Sequence, residues 1–202
     1  PPAQYPIALG NDVLRVLDET RRVLVDLGAT IIEKPFPFDF HDMMLRNGQI
    51  IAAEAYAIHR AYIDDEAKPF GEFVRKRVQS GRKISGADYI DAMADHRRTI
   101  AMWTDWMSNI DALLSPCAPM GAVPLTEVDE SKTPLAAFTR AGNYMGTAGI
   151  SLPAGFADNG MPLGMQLLGK PFDDANMVRI GMAFQNATDW HLKRPNLSAL
   201  GI

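Results

Sequence analysis

Cys117 stands out among the side chains that could do chemistry. It lies between Pro116 and Pro119, directly after the apolar segment 112–115, and α/β enzymes often place ligand contacts at strand ends. A thiol becomes a nucleophile when a base or a positive charge next to it favours the thiolate, and the loop carries neither. We therefore expect Cys117 to be a small buried side chain or part of a pocket wall rather than a nucleophile.

The sequence contains no pattern typical of a metal site or of a hydrolase nucleophile elbow. The four histidines, at positions 41, 59, 96 and 191, are too scattered for metal-ligand spacing, and one cysteine allows neither a cysteine-based zinc site nor an intrachain disulfide. No Gly-x-Ser-x-Gly motif is present. We therefore predict no metal site in this chain.

Two apolar segments and the turn between them form the most regular part of the sequence. Residues 150–156 and 163–168 are predicted strands, and Asp158, Asn159 and Gly160 between them are residues that accept the positive φ angles of a tight reversal. Small residues flank the first strand, which indicates close approach of another backbone or a ligand.

Helices alternating with short apolar strands predict an α/β layered fold in a single domain, 1–202. We expect a helix and a strand in 1–34, a helical region in 39–110, a strand-rich core with a closing helix in 111–189, and an arm in 190–202. The predicted helices are 11–27, 42–66, 69–79, 85–109, one opened by Thr133-Pro134, and 173–186, and the other predicted strands are 30–33 and 112–115.

Composition excludes two classes of partner. The 202 residues are 47% hydrophobic and 22% charged, with a formal net charge of −4 and both signs interspersed, so we expect neither a nucleic-acid surface nor a membrane anchor. No leader sequence is visible, and the single cysteine is compatible with a reducing cytoplasm. Because the chain starts at Pro1 rather than at a methionine, we expect a processed or truncated product.

Six segments, in this order, resemble the carboxy-terminal part of the amidase signature family. They are 27–33 (LGATIIE), 84–89 (ISGADY), 111–119 (DALLSPCAP), 142–169 (GNYMGTAGISLPAGFADNGMPLGMQLLG), 169–174 (GKPFDD) and 187–191 (ATDWH). The third matches the family's strand-and-loop pattern D-x-L-L-x-P-x-x-P. The resemblance implies a mixed central sheet flanked by helices, of which this chain encodes a part.

The resemblance also implies a reaction. Members of the family hydrolyse amides with a serine nucleophile, a second serine and a lysine, without metal or cofactor, and both serines lie in a Gly/Ser-rich signature upstream of this region. No such signature occurs in the chain. We therefore expect no catalytic residue here, no activity from this chain alone, and a small-molecule amide bound jointly with the missing amino-terminal half.

The family's N-x-x-G loop beside the active centre corresponds to Asn143 and Gly146. Within it, Tyr144 could present an apolar wall to a substrate. The resemblance thus implies a substrate pocket lined by Cys117, Asn143 and Tyr144, with Tyr56 as a further candidate.

Arg98 is a candidate for holding a substrate carboxylate. A guanidinium can bind a carboxylate through two hydrogen bonds, and in the glutamine-handling amidotransferase branch of the family an arginine at about this place does so. An exposed helical arginine is the alternative interpretation of Arg97 and Arg98. That branch also has an acidic residue for the substrate amino group, whereas this chain has Pro-Leu-Ala-Ala at 134–137, which argues against glutamine recognition.

Three functions remain open from the sequence. The first is the carboxy-terminal part of an amidase that converts a carboxamide to a carboxylic acid and ammonia or an amine. The second is a non-catalytic binding or assembly module, whose apolar edge would be covered by a second copy of the chain or by the missing half. The third is an amidotransferase A-type subunit, with a protein partner and transfer RNA.

Overall fold

The computed structural model describes residue 5 and residues 7–128 and 135–198. Within these ranges, strands and helices build the α/β fold that the sequence predicts. The helices are α1 (Asn11–Asp26), α2 (Phe40–His59), α3 (Glu72–Ser80), α4 (Gly86–Trp106), α5 (Thr139–Met145) and α6 (Asp174–Ala187), and the strands are β1 (Leu113–Pro116), β2 (Gly149–Phe156) and β3 (Pro162–Leu168).

The three strands form one antiparallel sheet in the order β1-β3-β2. Leu168 of β3 lies opposite both Leu113 and Gly149, so β3 is the central strand and fixes the register of the other two. The register of β2 shifts between Pro153 and Gly155. Proline has no N–H for the ladder, which accounts for an irregularity at this point.

The turn between β2 and β3 uses one left-handed residue rather than three. Among the described residues of this turn only Gly160 has a positive φ, of 79°, so the expectation for Asp158 and Asn159 is wrong. The backbone N–H of Gly160 donates to the carbonyl of Ala157 at 2.9 Å, and the Asn159 side chain accepts from Met161 N at 3.1 Å. Asn159 therefore supports the turn through its side chain.

One face of the sheet packs on α1 and α6. Leu163, Met165 and Leu167 alternate along β3 toward this side, as a two-residue strand period requires. A Cβ at Gly155 would lie 2.9 Å from Val16 Cγ2. The small residue in β2 thus leaves room for the Val16 side chain of α1, so the close neighbour is a side chain rather than the backbone or ligand that the sequence indicated.

A second buried cluster, rich in aromatic side chains, packs against Leu168 at the end of β3. Its aromatic members are Phe36, Phe40, Trp103, Phe138 and Tyr144. Trp103 is fully buried in it and donates its indole N–H to the carbonyl of Gly169 at 3.1 Å. Gln166 is buried as well and donates to Ser115 Oγ at 2.9 Å and to the carbonyl of Phe138 at 3.3 Å. These bonds connect the sheet to the turn that precedes α5.

Residues 30–33 do not form the predicted strand. They are irregular in the structure, and Ile32 is 64% exposed. A strand needs a neighbouring strand for its backbone hydrogen bonds, and the described part of the chain pairs none with this segment.

Several helix ends also differ from their predicted positions. The helix predicted over 42–66 is α2, which ends at His59, and the one predicted over 69–79 begins at Glu72. Between these two helices, the Arg75 guanidinium donates to the backbone carbonyls of Ile63, Asp65 and Lys68. These carbonyls therefore have hydrogen-bond partners although the segment is not helical.

One of the predicted helix caps is present, and two others differ from the prediction. The capping box of Ser85 and Asp88 is present at the start of α4. The cap of α1 is Gly10 rather than Asn11. Asp173 is the residue before α6, and its carbonyl accepts from Met177 N at 3.2 Å, but its side chain accepts from Asn176 Nδ2 at 3.1 Å instead of from a backbone N–H. The predicted helix start at 133–134 lies outside the described residues.

Candidate functional site

Asp95 of α4 is the centre of a polar cluster between α2, α4 and α5. Its side chain is 15% exposed and accepts a hydrogen bond from the Tyr144 hydroxyl at 2.6 Å. The Arg46 guanidinium pairs with the same carboxylate at 2.9 Å, and Arg98, one turn along α4, pairs with its other oxygen. Two of the residues singled out from the sequence, Arg98 and Tyr144, therefore meet at Asp95.

The charges around Asp95 keep it ionised. Burial alone would raise its pKa, but the Tyr144 hydrogen bond and the guanidinium groups of Arg46 and Arg98 outweigh it, so the pKa of Asp95 lies below its ordinary value. Burial and the adjacent carboxylate raise the pKa of Tyr144, so its hydroxyl stays protonated and able to donate further into the alkaline range than an ordinary tyrosine. The cluster is thus one carboxylate held by three donors.

An open cleft of about 420 Å³ lies beside this cluster. Its lining side chains are mostly charged: Arg46, Gln49, Asp88, Asp91, Asp95 and Arg98, with Ala92 and Ala94 between them. The Arg98 side chain is 66% exposed, so part of its guanidinium faces solvent. In the described ranges no serine hydroxyl or cysteine thiol is hydrogen-bonded to a histidine or lysine side chain; Lys170 donates only to the backbone carbonyl of Ser108.

Asn143 and Gly146 form the end of α5. Gly146 has φ 60° and ψ 35°, the left-handed conformation that ends many helices, and its N–H donates to the Asn143 carbonyl at 3.2 Å. The Asn143 side chain is exposed. The N-x-x-G motif is therefore a helix cap in this structure, with Tyr144 turned inward from the same turn.

Cys117 lies in a different cavity from Arg98. This cavity, of about 250 Å³, is mainly apolar and includes Val13 and Leu163, and it shares no residue with the cleft beside Asp95. The Cys117 sulfur is 3.1 Å from Ser151 Oγ. Burial raises the pKa of the thiol, only partly opposed by Ser151, which favours the neutral thiol that the sequence indicated.

Tyr56 contacts Arg82 rather than Cys117 or the residues around Asp95. Its hydroxyl accepts from Arg82 Nε at 3.2 Å, and the Arg82 guanidinium stacks over its ring. The structure thus joins Arg98 with Tyr144 and gives Cys117 and Tyr56 partners of their own.

Sequence reasoning missed Asp95 and Arg46. The three-residue spacing of Asp95 and Arg98 on a predicted helix is a signal that could have identified the first pair. Arg46 lies 49 positions before Asp95, and nothing in its local sequence indicates the contact.

Neither a metal centre nor a membrane span is found among the described residues. They contain no cluster of three or more histidine, cysteine or acidic side chains that could hold a metal ion. Over the same residues, every helix is too short or too polar to cross a lipid bilayer.

Comparison with known proteins gives one family. The family model described as Amidase matches residues 2–178. The A subunit of glutamyl-tRNA(Gln) amidotransferase from Geotalea daltonii is 37% identical over 97% of this chain, and that from Geobacter sp. strain M21 is 34% identical over 97%. A crystal structure of an amidase superimposes with a TM-score of 0.78 and 25% identity, over 88% of this chain and 42% of its own length.

The two amidotransferase subunits are much longer than the matched region. The alignment covers 46% of each, so the chain spans about half the length of the curated relatives that it matches. The family match extends over most of the chain and agrees with the fold. The chain therefore belongs to the amidase signature family.

Proposed function

We propose that this chain is the substrate-side portion of an enzyme that hydrolyses a carboxamide to a carboxylic acid and ammonia or an amine. It contributes part of the sheet and of the substrate pocket, and the two serines and the lysine of the family lie outside it. The observation that carries the proposal is the composition of the site at Asp95. Charged groups and donors that can hold a substrate converge there, without a serine or cysteine paired to a base within the described residues.

The substrate pocket would be formed with the absent half of the enzyme. Arg98 would face the substrate from the Asp95 cluster, and the buried Tyr144 would hold the Asp95 carboxylate in place. Asn143, Gly146 and Cys117 lie outside the cleft and would contact the substrate only in the complete enzyme. Hydrolysis by a serine acyl-enzyme requires backbone donors for the oxyanion and a positioned base, and we assign both to the other half. No metal or cofactor takes part in this proposal.

A second candidate function is an amidotransferase A-type subunit, which would release ammonia from an amide and work with a protein partner on transfer RNA. The names of the relatives favour this function, because the proteins from Geotalea daltonii and Geobacter sp. strain M21 are both named as A subunits of glutamyl-tRNA(Gln) amidotransferase. Against it stand the apolar residues at 135–137, where the glutamine-handling branch has an acid. Both candidates share the amide-cleaving step.

The test is ammonia release by the native gene product, measured with coupled glutamate dehydrogenase. The panel contains glutamine, asparagine, benzamide and short aliphatic amides, and the 202-residue chain alone is the control. We expect the native product to cleave an amide and the chain alone to be inactive. A strong preference for glutamine would favour the amidotransferase function, and a preference for simple amides the amidase.

An inactive native product of 22.2 kDa would contradict both candidates and favour the binding module. In that case the exposed apolar side chains would be covered by a second copy, and sedimentation would detect the dimer. As part of the main proposal we place the enzyme in the cytoplasm, which the single cysteine permits.

A further inference from the structure

The cavity beside Cys117 is lined without any charged group. Its volume is about 250 Å³, and none of its eleven lining residues has a charged side chain. The most polar side-chain group among them is the Cys117 thiol, which already has Ser151 Oγ as a partner at 3.1 Å. Moving an ion from water into this site would cost free energy that no side chain of the wall offsets, whereas a hydrocarbon group gains by leaving water.

The inner wall of this cavity belongs to the protein core. Val13 and Met165 are 1% exposed, Leu163 is 6% exposed, and all three pack in the cluster between the sheet and α1. The cavity is therefore preformed, because its inner surface is held in place by close packing.

The outer wall is made of small residues and opens to solvent. Ala118, Gly121 and Ala122 line the cavity from the loop after β1, and their short side chains leave the space free. Leu135 lines it too and is 39% exposed, so the apolar lining reaches the surface. A ligand can therefore enter without any opening of the core.

The volume of the cavity selects among apolar ligands. A protein cavity of about 150 Å³ with an apolar lining is large enough to bind benzene. The cavity at Cys117, of about 250 Å³, therefore accommodates one six-membered ring or a branched alkyl group of similar size.

We propose that this cavity binds a compact uncharged hydrocarbon group, a six-membered ring or a branched alkyl chain, and that this group is the substituent of the amide that the complete enzyme cleaves. The second part rests on the proposed amide hydrolysis. The enzyme should then favour amides with such a substituent over acetamide.

Cys117 allows binding to be measured without turnover. Its sulfur lies 3.3 Å from the point that a Cβ on Gly164 would occupy, and both residues line the cavity. A ligand in the cavity would therefore cover the thiol on that side. The native gene product is treated with methyl methanethiosulfonate, and peptide mass spectrometry follows the modification of Cys117 alone.

Two ring probes of the same shape test the chemistry of the cavity. Benzene is a hydrocarbon, and pyridazine carries polar nitrogen atoms in the same ring. We expect near-saturating benzene to slow the modification of Cys117 at least about threefold, and pyridazine at the same concentration to leave it unchanged.

Ala118→Leu fills the cavity from the loop and should abolish the protection by benzene, measured against the same variant without a probe. Ala183→Leu is the matched control, because Ala183 is exposed on α6, and it should keep the protection. Circular dichroism checks that each variant is folded, and the comparison of the two rings needs no variant. Equal protection by both rings, no protection by benzene, or full protection in a folded Ala118→Leu variant would each overturn the proposal.

Hydrolysis tests the assignment to the substrate. We expect the native product to cleave phenylacetamide with a kcat/KM at least about tenfold above that for acetamide, and Ala118→Leu to remove this preference. Protection by benzene without hydrolysis of any amide would refute the proposed function and leave the binding site in place. Hydrolysis without a preference for phenylacetamide would instead overturn the assignment of the cavity to the substrate.

Discussion

The hydroxyl of Tyr144 donates a 2.6 Å hydrogen bond to Oδ2 of Asp95, and this bond joins α5 to α4. The same oxygen pairs with Arg46 of α2, so one carboxylate holds three helices together. The bond is partly buried and its acceptor is charged, which places it among the stronger side-chain hydrogen bonds.

Tyr144→Phe should destabilise the protein by about 1.5–3 kcal/mol, the usual range for a hydrogen bond to a charged group. Urea denaturation monitored by tryptophan fluorescence measures the change. Tyr89→Phe is the matched control, because Tyr89 donates to Glu54 at 2.8 Å in an exposed position. The control should change stability by less than about 0.5 kcal/mol. Equal losses in both variants would contradict the assigned role of Tyr144.

Asp95 predicts a pH dependence of stability. Its pKa is lower in the folded protein than in the unfolded chain, so its contribution is present above the unfolded pKa of about 4 and is lost as the pH falls through the lower folded value. The stability difference between wild type and Asp95→Asn should therefore be constant near neutrality and shrink below about pH 4. Denaturation curves at a series of pH values measure it. A difference that stayed unchanged down to about pH 2 would mean that Asp95 is not a stabilising carboxylate.

Gly81→Ala should be strongly destabilising because of contact with a neighbouring backbone. A Cβ at this position would lie 2.6 Å from the carbonyl carbon of Ala52 and 2.7 Å from Tyr56 Cβ, so α2 and the turn after α3 would have to separate. We expect a loss of at least about 1–3 kcal/mol in thermal unfolding.

The control for this substitution is Gly86→Ala at the start of α4, where a Cβ would meet nothing within 4 Å. Its stability should stay within about 0.5 kcal/mol of the wild type. A tolerated Gly81→Ala would show that the contact between α2 and this turn is looser than described.

Cys117 should react slowly with iodoacetamide at neutral pH. Burial raises its pKa, so the thiolate that attacks the reagent is scarce, and the Ser151 hydrogen bond lowers the pKa only in part. Ser151→Ala should therefore slow alkylation further, and raising the pH should accelerate it. Mass spectrometry of the modified chain gives the rates, with glutathione as the reference thiol. Alkylation of Cys117 faster than that of glutathione at neutral pH would contradict the raised pKa of this thiol.

Features that depend on neighbouring residues could be predicted from the amino-acid order alone. The Ser85 capping box, the strand-turn-strand unit over 149–168 and the inert surroundings of Cys117 were all predictable, because caps, tight turns and strand alternation are set within a few residues. The ordered motifs also indicated the family, and the match over residues 2–178 agrees with them.

Contacts between residues far apart in the chain became visible in the folded structure. Residues 30–33 have the composition of a strand, yet no described strand lies beside them, because pairing depends on where the rest of the chain places an edge. Arg46, Asp95 and Tyr144 come from three helices. Long-range contacts of this kind form when the apolar faces of helices pack and bring polar side chains together. They cannot be predicted from the residues on either side of each position.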